Sequence, residues 1–244
     1  MMLVQEAGEC LVLEEDERPM RSAIEALSAA HRLSDPHTFG HETRVGWIGG
    51  AVAEALGLDA HRVEGIRIAG LMHDIGKIAV PAQILAKPGP LTRAEFALIR
   101  KHPQHGHEIL KGIPFPWPVA QVALQHHERL DGSGYPRGLE GDEILFEARI
   151  VAVADVVEAM ASHRSYRPAL GIDKALAEIE RGRGSIYDPV VVDACLTLFR
   201  ESDTAVMHSA YALERQDFLE ECPLPGPSDS IPPKSSAFPK SARP

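Results

Sequence analysis

Cysteine is scarce. The three residues, Cys10, Cys195 and Cys222, are odd in number and widely separated. That excludes a disulfide framework or a zinc knuckle and reads as reduced thiols in a cytoplasmic protein. Long apolar runs are also missing. No stretch approaches the roughly 18 uninterrupted apolar residues of a transmembrane helix, and the start Met1-Met2-Leu3-Val4-Gln5-Glu6 lacks the basic and apolar regions of a signal peptide. There is no basic excess, because 25 Lys and Arg stand against 35 Asp and Glu, for a net charge of −10. Such a balance excludes non-specific duplex DNA binding, which depends on lysines and arginines displacing counterions. A small phosphate substrate stays compatible with it, provided that cations are concentrated in a pocket, as bound metals would do. Alternating apolar and polar strands are nearly absent, so the fold class is all-α.

What the chain does contain is helical periodicity punctuated by proline and glycine. Residues 1–21, with the acidic run Glu14-Glu15-Asp16-Glu17, read as a leader or linker. A helical domain is expected over 22–202, a helical extension over 203–222 and a disordered tail over 223–244. The tail holds seven prolines and five serines, too little apolar surface to offset its ordering entropy. Within the domain, helices are expected from Ser22 to Asp35-Pro36, over 38–56, from Ala60 to Asp74, and briefly from Pro81 to Leu85. Thr92-Arg93-Ala94-Glu95 has the form of a capping box. The helix that it starts meets Pro103 directly after His102, which predicts a break there. Further helices are expected from Pro118 to His127, from Ile144 to Ser162, over 174–181, and from the cap Asp188-Pro189 to Phe199, with 132–141 as a glycine-rich loop.

Histidine is the compositional outlier, with 12 in all and seven of them between 73 and 163. Asp155 follows five apolar residues of an apparently buried helix, where an unpaired carboxylate costs several kcal/mol, so it needs a cation. His73-Asp74 ends the helix of Ile68-Ala69-Gly70-Leu71-Met72 and has the same need. Mixed imidazole and carboxylate donors suit iron, manganese or zinc better than calcium. His41, His73, Asp74, His102, His126, His127 and Asp155 are too many for one ion and fit two, with one carboxylate bridging. Two ions ~3.5–4 Å apart can hold a bridging hydroxide as nucleophile. Lys77, three residues past Asp74, can face the same cavity and stabilise charge or protonate a leaving oxygen. Any one of these pairs alone is better explained as surface or structure, and Gly-Tyr-Pro alone is a turn. Their joint occurrence decides for chemistry. His31, His61, His105, His107 and His208 are left as surface or core histidines.

Taken together, Gly40-His41-Glu42-Thr43-Arg44-Val45, His73-Asp74-Ile75-Gly76-Lys77, Lys101-His102-Pro103, His126-His127-Glu128, Asp131-Gly132-Ser133-Gly134-Tyr135-Pro136 and Ala152-Val153-Ala154-Asp155 resemble the HD-GYP family, a subgroup of the HD phosphohydrolases. The likeness runs from about Ser22 to Phe199 and implies an HD-domain helical bundle with the HD-GYP extension. It implies hydrolysis of cyclic di-GMP to linear pGpG and, in many members, on to GMP. By the same resemblance His41, His73, Asp74 and Asp155 hold one ion of iron or manganese. His102 and His126 hold a second, with Asp74 bridging and His127 a further ligand position. Lys77 matches a lysine associated with catalysis, Arg164 and Arg167 match positions that touch substrate phosphates, and Gly134, Tyr135 and Pro136 form the substrate-side loop. Trinuclear members carry glutamate where this chain has His37, so two metals are favoured over three. Glu158 stands where many members carry aspartate and is expected behind the ligands. The family also implies contacts with GGDEF-domain proteins, is compatible with a homodimer, and leaves a catalytically weak signalling module as the alternative. Residues 1–21 are too few for a receiver or sensing domain.

Overall fold

The computed structural model describes residues 18–34, 40–162 and 169–201. Among them the structure is helical, with isolated bridges in place of strands. The helices are α1 (Arg18–Ser34), α2 (His41–Ala55), α3 (Ala60–Met72), α4 (Ala82–Leu85), α5 (Arg93–Ile99), α6 (His102–Leu110), α7 (Val119–Gln125), α8 (Phe146–Ala161), α9 (Ile172–Arg181) and α10 (Pro189–Glu201). A 3-10 turn over Ile75–Ala79 follows α3. His37, Arg164, Arg167 and His208 lie outside the described residues, as do most of the predicted leader and all of the predicted extension and tail.

Helix ends fall where local chemistry puts them. Asp59 accepts the Arg62 amide at 2.9 Å and starts α3. Thr92 and Glu95 exchange both bonds of a capping box at the start of α5. Asp188 Oδ1 accepts the Val190 amide at 2.9 Å to open α10, and Asp188 Oδ2 pairs with Arg149 of α8 at 3.0 Å. The break expected near Pro103 separates α5 from α6 at Arg100-Lys101.

Most helix ends shift by one to three residues from the sequence expectation, and two of the shifts bear on the architecture. Helix α1 begins at Arg18, ahead of Ser22. Helix α3 stops at Met72, and the chain tightens into the 3-10 turn rather than carrying helix to Asp74. In a 3-10 turn side chains three apart eclipse, which places Lys77 beside Asp74.

Helix α8 is the axis of the core. Its Ile150, Val151, Val153, Ala154 and Val157 are fully enclosed, the four branched side chains each contributing about 1.5–3 kcal/mol by leaving water. Helix α8 packs on α2, α3, α7, α9 and α10, where Ile48, Ile66, Val122, Ile179 and Val191 meet it in one continuous cluster. The segment carrying α4 and α5 stands outside this core. Neither helix has a buried residue, and Phe96 and Leu98 are exposed.

Candidate metal centre

Seven side chains expected from the sequence converge. Ligand atoms of Asp74, His102, His126 and His127 lie within 4.8 Å of one another, as do those of His41, His73 and Asp155. Asp74 joins the two groups. Its Oδ1 is 3.1 Å from His102 Nε2 and 3.9 Å from His126 Nε2. Its Oδ2 is 3.3 Å from His73 Nε2 and 3.8 Å from His41 Nε2. Asp155 Oδ1 sits 3.3 Å from His41 Nε2 and 3.9 Å from His73 Nε2. Each Asp74 oxygen therefore serves a different histidine pair. Five elements deliver these groups: the start of α2, the end of α3, the starts of α6 and of the loop after α7, and the middle of α8.

The far ring nitrogens set the tautomers. His73 Nδ1 donates to Gly70 O at 2.6 Å, His102 Nδ1 to Ile99 O at 2.8 Å, and His126 Nδ1 to Ala123 O at 2.8 Å. His41 Nδ1 donates to Glu158 Oε2. Every one of these bonds leaves the Nε2 lone pair directed at the cluster, the arrangement that orients metal-binding imidazoles. Glu158 is fixed in turn by Arg44 Nε at 2.6 Å and by the Ser162 hydroxyl. This buried carboxylate thus stands one layer behind His41, with its own hydrogen bonds filled.

Electrostatics agree with a cation site. Burial opposes ionisation of Asp74, but Lys77, His73 and His102 override it and hold the carboxyl well below its ordinary range. Asp155 is held down in the same way, against burial, by His41 and His73. Burial, with like charge from neighbouring imidazoles, pushes His126 well down. Burial also leads in taking His127 to about 3. These two imidazoles are neutral at physiological pH and offer lone pairs. The buried Nε2 of His73 has no aligned hydrogen bond, a cost that a coordinated ion removes. The donor set of five imidazoles and two carboxylates fits divalent transition metals. Lys77 donates to Asp74 Oδ2, which puts its ammonium at the edge of the cluster.

The glycine-rich loop folds back onto the centre. Tyr135 N donates to His127 O at 3.2 Å, and the Tyr135 ring stacks on His127 with centroids 4.7 Å apart and planes at 29°. A side chain at Gly134 would place Cβ 2.4 Å from Glu128 Cα and 2.6 Å from His127 O, so only glycine permits the closure. Gly134 thus shapes the loop through packing, with Pro136 following in cis. Glu128, buried, accepts Arg137 N at 2.7 Å and Leu139 N at 3.1 Å and pins the far side. Asp131 Oδ1 accepts the Ser133 amide at 3.0 Å to form the turn.

Sequence reasoning places Arg44 and Glu128 in the motifs without giving them a role, and gives none to Ser162 or Arg100. The last sits with its guanidinium 4.4 Å from the Tyr135 ring centre. A charged residue directly behind His126-His127 was a visible sign for Glu128. Ser162 lies one helical turn after Glu158, while Arg44 and Arg100 act through contacts between distant segments. His31 and His61 fall outside the cluster: His31 is buried 3.7 Å from Glu42, and His61 accepts from Trp117 Nε1 at 3.2 Å.

The sequence profile of the HD domain matches residues 25–191. The chain belongs to the HD domain family. This HD domain is 45% identical over 186 residues to the cyclic di-GMP phosphodiesterase response regulator RpfG of Xanthomonas campestris, covering 75% of the chain and 49% of that protein. It is 44% identical over 180 residues to a cyclic di-GMP phosphodiesterase of Thermotoga maritima, covering 73% of the chain and 49% of that protein. It is 38% identical over 200 residues to 3'3'-cGAMP-specific phosphodiesterase 3 of Vibrio cholerae, covering 80% and 43%. The chain therefore spans about half the length of the relatives it matches. Among solved structures, a cyclic GMP-AMP-specific phosphodiesterase of V. cholerae superposes with a TM-score of 0.60 at 19% identity, over 79% of this chain and 51% of that one. The HD domain of L. monocytogenes phosphodiesterase PgpH, in complex with cyclic-di-AMP, gives 0.52 at 21% identity, over 72% and 96%. Both likenesses concern the helical fold. Among the described residues no helix is long and apolar enough to cross a membrane.

Proposed function

We propose that this HD domain is a cyclic di-GMP phosphodiesterase that hydrolyses the cyclic dinucleotide to linear pGpG, GMP or both. The observation that carries the reading is the division of Asp74, with Oδ1 toward His102 and His126 and Oδ2 toward His41 and His73. A buried carboxylate bordered on both sides by imidazoles suits two divalent ions, iron or manganese, sharing one ligand. His41, His73 and Asp155 would hold one; His102, His126 and His127 would hold the other. Bound there, such ions supply Lewis acidity toward a phosphodiester and make water ionisable near neutral pH.

The protein's own groups do the rest. Lys77 Nζ, now donating to Asp74 Oδ2, is placed to donate to a phosphoryl oxygen or to the leaving 3'-oxygen. Tyr135 and Pro136 present a face beside His127, with Gly134 closing the loop behind them. Arg164 and Arg167, by resemblance, would grip the second phosphate through their guanidinium forks. The relatives named for cyclic di-GMP support this choice of substrate. The relative named for 3'3'-cGAMP makes that dinucleotide a second reading. A cytoplasmic location, a homodimer and docking on GGDEF-domain proteins complete the proposal. Catalytically weak signalling is its alternative.

The test is a product assay. Chain loaded anaerobically with Fe2+ or Mn2+ is incubated with cyclic di-GMP, 3'3'-cGAMP and cyclic di-AMP. Faster conversion of cyclic di-GMP supports the first reading, and a preference for the mixed dinucleotide supports the second. No turnover of any substrate, with GGDEF binding intact in an Asp74→Ala variant, points to the signalling module.

A further inference from the structure

Four of the five clustered histidines are held from behind by a hydrogen bond at Nδ1. His127 is the exception: among the described residues its ring makes no hydrogen bond. Its ring meets His126 at 4.1 Å and His102 at 5.0 Å within the cluster, and outside the cluster it has a layered contact. Tyr135 stacks on it at 4.7 Å, and Arg100 covers Tyr135 at 4.4 Å. We propose that Arg100, Tyr135 and His127 form a stacked clamp, in which an aromatic face does for His127 what a carbonyl or carboxylate does for the other four histidines.

The surrounding backbone makes the clamp directional. Tyr135 N is bonded to the carbonyl of His127 itself, so the loop closes on the residue that it orients. Gly134 lets that closure reach contact distance, and Glu128 holds the returning chain at Arg137 and Leu139. Arg100 lies two residues before His102, at the break between α5 and α6. The stack therefore joins the segment carrying His102 to the loop carrying His127, and both point into the Asp74 Oδ1 half of the centre. A guanidinium over an aromatic face and offset ring stacking are each favourable without a hydrogen bond. Arg100 and Tyr135 act here as positioning residues that touch neither an ion nor the reacting atoms.

The inference rests on the two-ion reading, and its test reads ions directly. Full-length chain is stripped with chelator and titrated with Co2+, following the visible absorption band, for the wild type and for Tyr135→Phe, Tyr135→Leu, Arg100→Lys and Arg100→Met. Two equivalents are expected in the wild type. Tyr135→Leu and Arg100→Met should weaken the second equivalent selectively, by the 10–100-fold typical of lost outer-layer support, roughly. Tyr135→Phe and Arg100→Lys should restore it, since ring and charge are kept. Melting of the stripped variants reports folding separately.

The clamp is overturned if Tyr135→Leu keeps wild-type affinity at both equivalents. It is also overturned if Tyr135→Phe fails as badly as Tyr135→Leu, or if both equivalents weaken together. A wild type that takes one equivalent sinks the two-ion reading and the clamp with it. A wild type that takes two, shows the selective loss and leaves every cyclic dinucleotide intact sinks the substrate reading alone.

Discussion

Glu158 touches the centre only through His41, yet its charge is shared with Arg44 and Ser162. Glu158→Gln keeps the shape and removes that charge. We expect metal affinity to fall by about 10–100-fold, as for other outer-layer partners; binding isotherms with Mn2+ would check it, and unchanged affinity would refute the role. Protonation offers a second test at this scale. His127 sits at about 3 when folded against 6.5 ordinarily, chiefly through burial, and His126 moves the same way. Between these values the unfolded chain takes up protons that the folded chain refuses, so stability present above pH 6.5 drains away as pH falls toward 3. Glu158, held at about 2 against burial by His41 and Arg44, adds a loss of the same sign at more acid pH. His73, raised mainly by Asp74 against burial, has the opposite sign, leaving two imidazoles against one. Melting temperatures of chelator-treated protein should therefore fall steadily from pH 7.5 to 4.5. A flat or rising profile would contradict the assignment.

The elements make the site by close approach. At Gly76, in the 3-10 turn, a Cβ would lie 2.0 Å from His102 O and 2.4 Å from Gly106 N. Gly76→Ala must push the turn off α6, and with it Asp74 and Lys77. It should cost about 1–3 kcal/mol as overpacking does and also reduce the ions bound. Asp188→Ala is the contrast, because it removes the α10 cap and the Arg149 pair. It should cost about 2 kcal/mol while metal content stays whole. Calorimetry with metal analysis separates the two; metal loss in Asp188→Ala would undo the distinction. The same closeness explains what the sequence could and could not disclose. His73-Asp74, His126-His127 and Asp155 were visible because charged or imidazole groups follow apolar runs, and the Thr92 capping box because its chemistry is local. The end of α3 at Met72 was not visible. Helical periodicity continues through it, and only packing against α6 makes the chain tighten. Arg100 over Tyr135 was equally hidden, since 35 positions of chain separate them.

Across the whole molecule, charge is unevenly distributed. The net value is −10, yet residues 77–101 hold Lys77, Lys87, Arg93, Arg100 and Lys101 against Glu95 alone. Lys77 and Arg100 lie at the edge of the centre and would draw an anionic substrate there, so under the proposed function KM for a cyclic dinucleotide should rise as NaCl goes from about 50 to 500 mM and the Debye length shrinks. An unchanged KM would argue against steering. Removing metal should loosen the entire bundle, because the centre draws on five elements. At metal concentrations about 100-fold above Kd the bound state gains roughly 2.7 kcal/mol, so chelation should lower Tm by several degrees, reversibly on adding Mn2+. A Tm that ignores chelator would mean that the helices do not depend on the centre.

Asp74 offers one oxygen to each side. Under the two-ion proposal, an incoming second cation would meet a carboxylate already drawn toward the first, together with the repulsion of a like charge close by. If two ions bind as proposed, loading would then be stepwise and anticooperative. Under scarcity such a protein populates half-filled molecules in preference to a mixture of full and empty ones. Under the proposed function, activity plotted against free metal should consequently lag behind total occupancy at low dose, so that turnover would report metal supply.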